Sequence, residues 1–117
     1  MTVEDLMDYD YDLFFKDGEK LIHIASCGEV HPTFEKIDID VNDAIREHIL
    51  AMADTSGFDL KVSNDDVPDT SSFEGYSKKG IYSYDFFDGN LELMTEPTTP
   101  LSVSSLPQEI QSKLIQW

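Results

Sequence analysis

Apolar and acidic residues alternate near the start of the chain. Tyr9, Tyr11, Leu13 and Phe15 share one parity, with Asp10, Asp12 and Phe14 between them. A period of two is that of a strand with one face buried. Asp17-Gly18 is a turn signal, and Leu21 to Ala25 supplies a returning strand, so the stretch predicts a hairpin that ends at Gly28. A second hairpin is predicted from Gly80–Phe87 and Asn90–Glu96 about Asp88-Gly89. Between the hairpins the period changes. Val41, Ala44, Ile45, His48, Ile49, Met52 and Ala53 recur at helical spacing, which predicts a helix from Val41 to Asp54. Asp40 is its expected N-cap and Gly57 its stop.

The remaining pieces are shorter. Phe58 to Val62 alternates and predicts a brief strand, whereas Ser63 to Ser72 is polar, contains a proline and predicts a surface loop. Pro97 and Pro100 argue against the last strand being a central one, because proline cannot donate to a ladder. Leu106, Ile110 and Leu114 share a face, which predicts a C-terminal helix over 106–116 with Ser105 as cap and Pro107 in its first turn. The order ββ-α-β-ββ-α belongs to the α+β class. It predicts an antiparallel sheet of about five strands, with a central helix and a short C-terminal helix packed on one face, in a single domain over 1–117. Both hairpins use Asp-Gly, but no internal repeat extends beyond that.

Net charge is more informative here than composition. Hydrophobic residues make up 40% of the chain and aromatics 11%, enough for a core. Against this stand 24 acids and 8 bases, a formal net charge of −16. Such a chain repels nucleic acid and anionic membranes, and attracts basic proteins most strongly at low salt. The acids are dispersed, with seven acids and two bases over 1–20 and four acids and no base over 85–96. The start is acidic rather than basic and apolar, and no apolar run approaches the ~18 residues needed to span a bilayer. With a single cysteine, these features read as a cytoplasmic protein.

Candidate chemistry concentrates in IHIASCGEVHP, Ile22 to Pro32, which holds Cys27, His23 and His31. On a strand, residues four apart lie roughly 13 Å from each other, so His23 is out of reach of Cys27. The expected role of the thiol is that of a small buried apolar residue at a strand end. No paired zinc-ligand spacing is present. Asp8, Asp10, Asp12 and Glu19 imitate calcium-loop spacing, but Leu13 stands where such a loop needs glycine. Nucleophile elbows, phosphate loops and dinucleotide fingerprints are absent from the sequence, and Arg46 is the only arginine. The reading therefore expects no catalytic, metal or cofactor-binding residue and no cofactor.

What remains is an acidic-aromatic character. Tyr84, Asp85, Phe87 and Asp88 cluster at the second hairpin, and Asp8, Asp10 and Asp12 interleave with tyrosines at the first. Aromatics provide rigid contact area, and acids around them select a basic partner. These seven residues are the expected partner-binding set. The expected function is a non-enzymatic acidic binding protein acting on a basic protein, as an inhibitor or immunity-type factor. The analogy is with the small acidic immunity proteins of bacteria, and rests on size and charge without a motif. The alternative is a small enzyme or ligand-binding domain with a pocket near Cys27 and His31.

Overall fold

Alternation does build the first hairpin. In the computed structural model, which describes residues 10–63 and 69–117, strands β1 (Asp12–Asp17) and β2 (Lys20–Ala25) pair antiparallel with Asp17 opposite Lys20. The turn is thus Gly18-Glu19, one residue later than expected, and Gly18 takes the positive φ of 59° that opens it. Helix α1 (Ile39–Leu50) begins two residues before the predicted start. Asp38, not Asp40, is its cap, accepting from the amides of Asp40 at 2.9 Å and Val41 at 3.3 Å. The earlier start buries Ile39, Asn42, Ile45 and Ile49 together, whereas Ala44 faces solvent.

Strand β3 (Phe58–Leu60) follows, and then helix α2 (Ser71–Ser77). Ser71 and Ser72 therefore belong to a helix rather than to the predicted 63–72 loop, of which residues 64–68 lie outside the described residues. Burial of Phe73, Tyr76 and Ser77 holds this seven-residue helix on the sheet. Strands β4 (Tyr82–Phe87) and β5 (Asn90–Pro97) form the second hairpin. Its turn is Asp88-Gly89, with φ of 53° and 75°, the left-handed pair that matches strand twist. Ser83 pairs with Thr95 but Tyr84 pairs with Leu93. Met94 is the extra residue of a bulge, and both Met94 and Thr95 are buried.

The C-terminal expectation is corrected. Leu106, Ile110 and Leu114 are all buried, yet helix α3 spans only Gln108–Gln111 and is followed by strand β6 (Ile115–Gln116). The chain leaves the helix to satisfy the open edge of β1: Ile115 pairs with Phe15, and the Trp117 amide donates to the Lys16 carbonyl at 2.8 Å. An unpaired buried edge would cost more than the lost helical turns.

The sheet is mixed and six-stranded, in the order β3-β5-β4-β2-β1-β6, not antiparallel with about five strands. Two pairings, β2 with β4 and β1 with β6, are parallel. The crossover from β2 to β4 runs through α1, β3 and α2, and a parallel return needs a connection of that length. β5 lies between β3 and β4, contrary to the proline argument. Pro97 is tolerated because it is the strand's last residue, opposite Phe58.

All the helices pack on one face, over Phe14, Leu21, Ile81 and Met94. On the opposite face Leu13, Phe15, Ile22 and Ile24 are covered by a 3-10 turn, Pro32–Lys36, whose Phe34 is fully buried, and by Trp117. Phe86 is buried in the same cluster, and Tyr82, Tyr84 and Leu91 pack against its edge. Tyr82, Tyr84, Leu91 and Leu93 stay half-buried on the remaining part of the face. Among the described residues no helix is long and apolar enough to cross a membrane.

Candidate protein-binding site

The register brings the two acidic-aromatic patches to one end of the sheet. Asp12 pairs with Ala25, Ala25 with Asp85, and Asp85 with Glu92, so these residues form one row across β1, β2, β4 and β5. Cys27 joins the patches from behind. Its amide donates to Asp10 Oδ1 at 3.0 Å and its Sγ donates to Asp85 Oδ1 at 2.8 Å. Glu29 fixes the hairpin tip by accepting from the amides of Asp88 at 2.7 Å and Gly89 at 3.0 Å. Phe87, beside that tip, is 67% exposed. A cleft of about 430 Å³, lined by Asp10, Tyr11, Asp12, Asp43, Arg46 and Glu47, continues the acidic end onto α1. Lys16 and Lys20 lie at the opposite end by register.

The expected set is therefore only partly one surface. Asp10, Asp85, Phe87 and Asp88 share the acidic end. Tyr84 stands on the other face of the sheet, opposite Leu93. Asp8 lies outside the described residues. Asp12 turns inward and serves a different purpose.

That purpose is a polar network not anticipated from the sequence. His23, fully buried, places Nε2 at 2.7 Å from Asp12 Oδ1 and Nδ1 at 2.5 Å from Ser83 Oγ. Nε2 donating to Asp12 leaves Nδ1 to accept the Ser83 hydroxyl, which satisfies all three groups. The Tyr76 hydroxyl donates to Asp12 Oδ2 at 2.9 Å, and Arg46 Nε stands 3.6 Å from the same oxygen. Burial disfavours the Asp12 carboxylate, but the His23 and Tyr76 hydrogen bonds and the Arg46 charge outweigh it and hold its pKa below the ordinary value. The Tyr76 hydroxyl is pushed up to about 12, by burial first and then by Asp12.

A serine, a histidine and an aspartate in line invite comparison with a hydrolase triad. The comparison fails on access. Ser83 is 0% exposed beneath the helices, so no carbonyl can approach its hydroxyl, and a triad needs an open nucleophile beside an oxyanion site. The network ties β1, β2, β4, α1 and α2 to one carboxylate. Its signal in the sequence was slight: His23 in LIHIA and Ser83 in IYSYDFF are polar interruptions of apolar runs.

Cys27 and His31 do not form a reacting pair. His31 stacks on Trp117 with ring centroids 5.0 Å apart, and its Nδ1 accepts from the Thr33 amide at 3.1 Å. Burial, the Asp85 hydrogen bond and the charges of Asp85, Asp10 and Glu29 push the Cys27 thiol up to about 12. Relative to an ordinary value of 9.0, that leaves on the order of a thousandfold less thiolate near pH 8, and thiolate sets the alkylation rate. Iodoacetamide should accordingly label the native chain at least roughly a hundredfold more slowly than the urea-unfolded chain. Asp85→Asn should recover part of that rate. Equal rates in the native and unfolded chains would restore Cys27 as a candidate nucleophile.

Among the described residues no group of three or more His, Cys, Asp or Glu side chains is placed to hold a metal ion. Comparison with protein families, with curated proteins and with solved structures gives no match for this chain. Function must be argued from the geometry of this molecule.

Proposed function

We propose that this chain is a non-enzymatic binding protein that captures a basic protein through the acidic end of its sheet, in an inhibitory or immunity-type role. One observation carries the reading: the exposed Phe87 lies beside Asp88 and the Glu29-bound hairpin tip, at the end of the sheet where the register also sets Asp85 and Glu92, in a chain of charge −16. Asp10, Asp85, Asp88 and Glu92 meet there only because of the strand register. An aromatic anchor within a charged rim is the usual anatomy of a tight interface. The rim steers the encounter, and the anchor slows dissociation. The upward-shifted Cys27 thiol and the inaccessible Ser83 favour binding over catalysis.

The test is capture from the cell's own extract at low and moderate salt. The retained partner should be basic, and its binding should weaken as salt screens the rim over a Debye length of about 10 Å. Glu92→Lys should reduce association and flatten the salt dependence. Phe87→Ala should mainly raise the dissociation rate, weakening affinity about tenfold or more. A partner that is acidic, or one retained equally by both variants, would remove this reading.

A further inference from the structure

We infer that the uncovered face of β4 and β5, on the side away from the helices, is the contact surface for an arginine- or lysine-bearing apolar segment of that basic partner. The inference rests on the acidic-binder reading and names a second surface for it, beyond the rim. Strand alternation puts Tyr82, Tyr84, Leu91 and Leu93 on this face, where the first three pack against the edge of the Leu13, Phe15, Ile22 and Ile24 cluster and all four keep part of their surface open. A half-buried stripe of two tyrosines and two leucines provides contact area at low conformational cost.

Charge identifies the occupant. Asp17 and Glu96 both act on the Tyr84 hydroxyl, which burial chiefly and these carboxylates in addition raise above its ordinary pKa. Asp59 lies beside Glu96 in the β3–β5 ladder. The lysines on this face are already engaged. Lys20 Nζ sits 5.0 Å from the Tyr82 ring centre, and Lys61 pairs with Glu96 at 3.1 Å. Beyond those two pairs the face offers the Tyr84 ring and the Asp17 and Asp59 carboxylates to an incoming cation, and Lys20 over Tyr82 shows the contact within the chain itself. A second copy would bring the same carboxylates and a further −16 of charge, so self-association is opposed.

Two probes separate this inference from the one beneath it. The full chain, labelled with ¹⁵N, is titrated with oligolysine and with a peptide alternating arginine and leucine. Oligolysine should shift amides at the acidic end, Asp85 to Glu92. The arginine-leucine peptide should shift Tyr82, Tyr84 and Leu93 as well, and bind about tenfold tighter, a difference of ~1.4 kcal/mol. Leu93→Thr, which keeps the strand, and Tyr82→Ser should each erode that advantage while oligolysine binding stays as it was. Unchanged affinity of the arginine-leucine peptide for both variants, or shifts confined to the acidic end, would overturn the face and leave the rim standing. Binding of neither probe would overturn both. A dimer in sedimentation that Leu93→Lys dissociates would make a second copy the occupant and overturn the proposal.

Discussion

Asp12→Ala is expected to destabilise the fold by about 3 kcal/mol, toward the lower end of the ~2–6 kcal/mol that leaving two buried donors, His23 Nε2–H and the Tyr76 hydroxyl, without their charged acceptor costs. The lower end applies because the Asp12 side chain is 27% exposed and water can reach the vacated site. His23, at 0% exposure, cannot move out to meet that water. Its Nε2 would lose its acceptor within the core, and the Tyr76 hydroxyl would lose one too. Asp12→Asn is the informative companion. The amide oxygen still accepts from His23, but its NH₂ then faces Arg46, and the expected cost is about 1–2 kcal/mol. Urea unfolding of both variants at neutral pH measures this. A loss below 1 kcal/mol for Asp12→Ala would show that the network does not hold the layers together.

The pH dependence follows with a definite sign. The folded-state pKa of Asp12 is depressed, so its stabilisation is complete above the unfolded value, near pH 4. It is lost as pH falls through the lower folded value. The acid limb of the stability curve should therefore be shallower in Asp12→Ala than in the parent. Glu19, held down by Ser102 and Ser104, and Asp69, held down by Ser71, keep part of that limb in the variant.

The contrast between what local pattern predicted and what it missed has one physical cause. Both hairpins and α1 are set by contacts within a few turns of chain, and period, turn residues and capping carboxylates reveal such contacts. The errors at their edges are choices between near-equals. Asp38 and Asp40 both suit a cap, and burial of Ile39 decides between them. Asp17-Gly18 and Gly18-Glu19 both suit a turn, and pairing of Asp17 with Lys20 decides. Helix α2 is too short to show a stripe, with only Phe73 and Tyr76 at helical spacing and Gly75 between them. At the C-terminus the spacing of Leu106, Ile110 and Leu114 reported burial correctly, but burial of every fourth residue does not require a continuous helix.

The non-local pairings were invisible, and the candidate site depends on them. Parallel pairing of β2 with β4 brings Cys27 to Asp85 and His23 to Ser83 across gaps of 58 and 60 residues. Alternation shows that a strand has two faces, but not which strand lies beside it. Composition could therefore single out Asp10, Asp85, Phe87 and Asp88 as acidic-aromatic candidates without showing that they share one end of the sheet. It also grouped Asp12 with them, although the buried imidazole of His23 claims that carboxylate.

Asn42→Ala should be the other severe substitution, for a reason that also lies outside local pattern. β6 pairs with β1 only at Phe15 and Lys16, so the outer edge of β1 before Phe15 has no strand beside it. The Asn42 side chain, 3% exposed on α1, takes the place of one. Its Oδ1 accepts from the Phe14 amide at 3.1 Å and its Nδ2 donates to the Asp12 carbonyl at 2.9 Å. Alanine would leave both backbone groups without partners, at ~1–3 kcal/mol each, so a total of roughly 2–6 kcal/mol is expected. Asn42→Asp should fall between, because it can still accept from Phe14 but sets a carboxylate against a carbonyl. Hydrogen exchange gives the direct check, since the Phe14 amide should lose protection in Asn42→Ala before the Ile22 and Ile24 amides do. Unchanged protection at Phe14, with unfolding within 1 kcal/mol of the parent, would mean that the helix does not complete the sheet. If the exchange result holds, the consequence reaches the acidic end. Asn42 fixes the start of β1, which Asp10 precedes, so on the proposed function the variant should weaken capture of a basic partner without removing a single carboxylate.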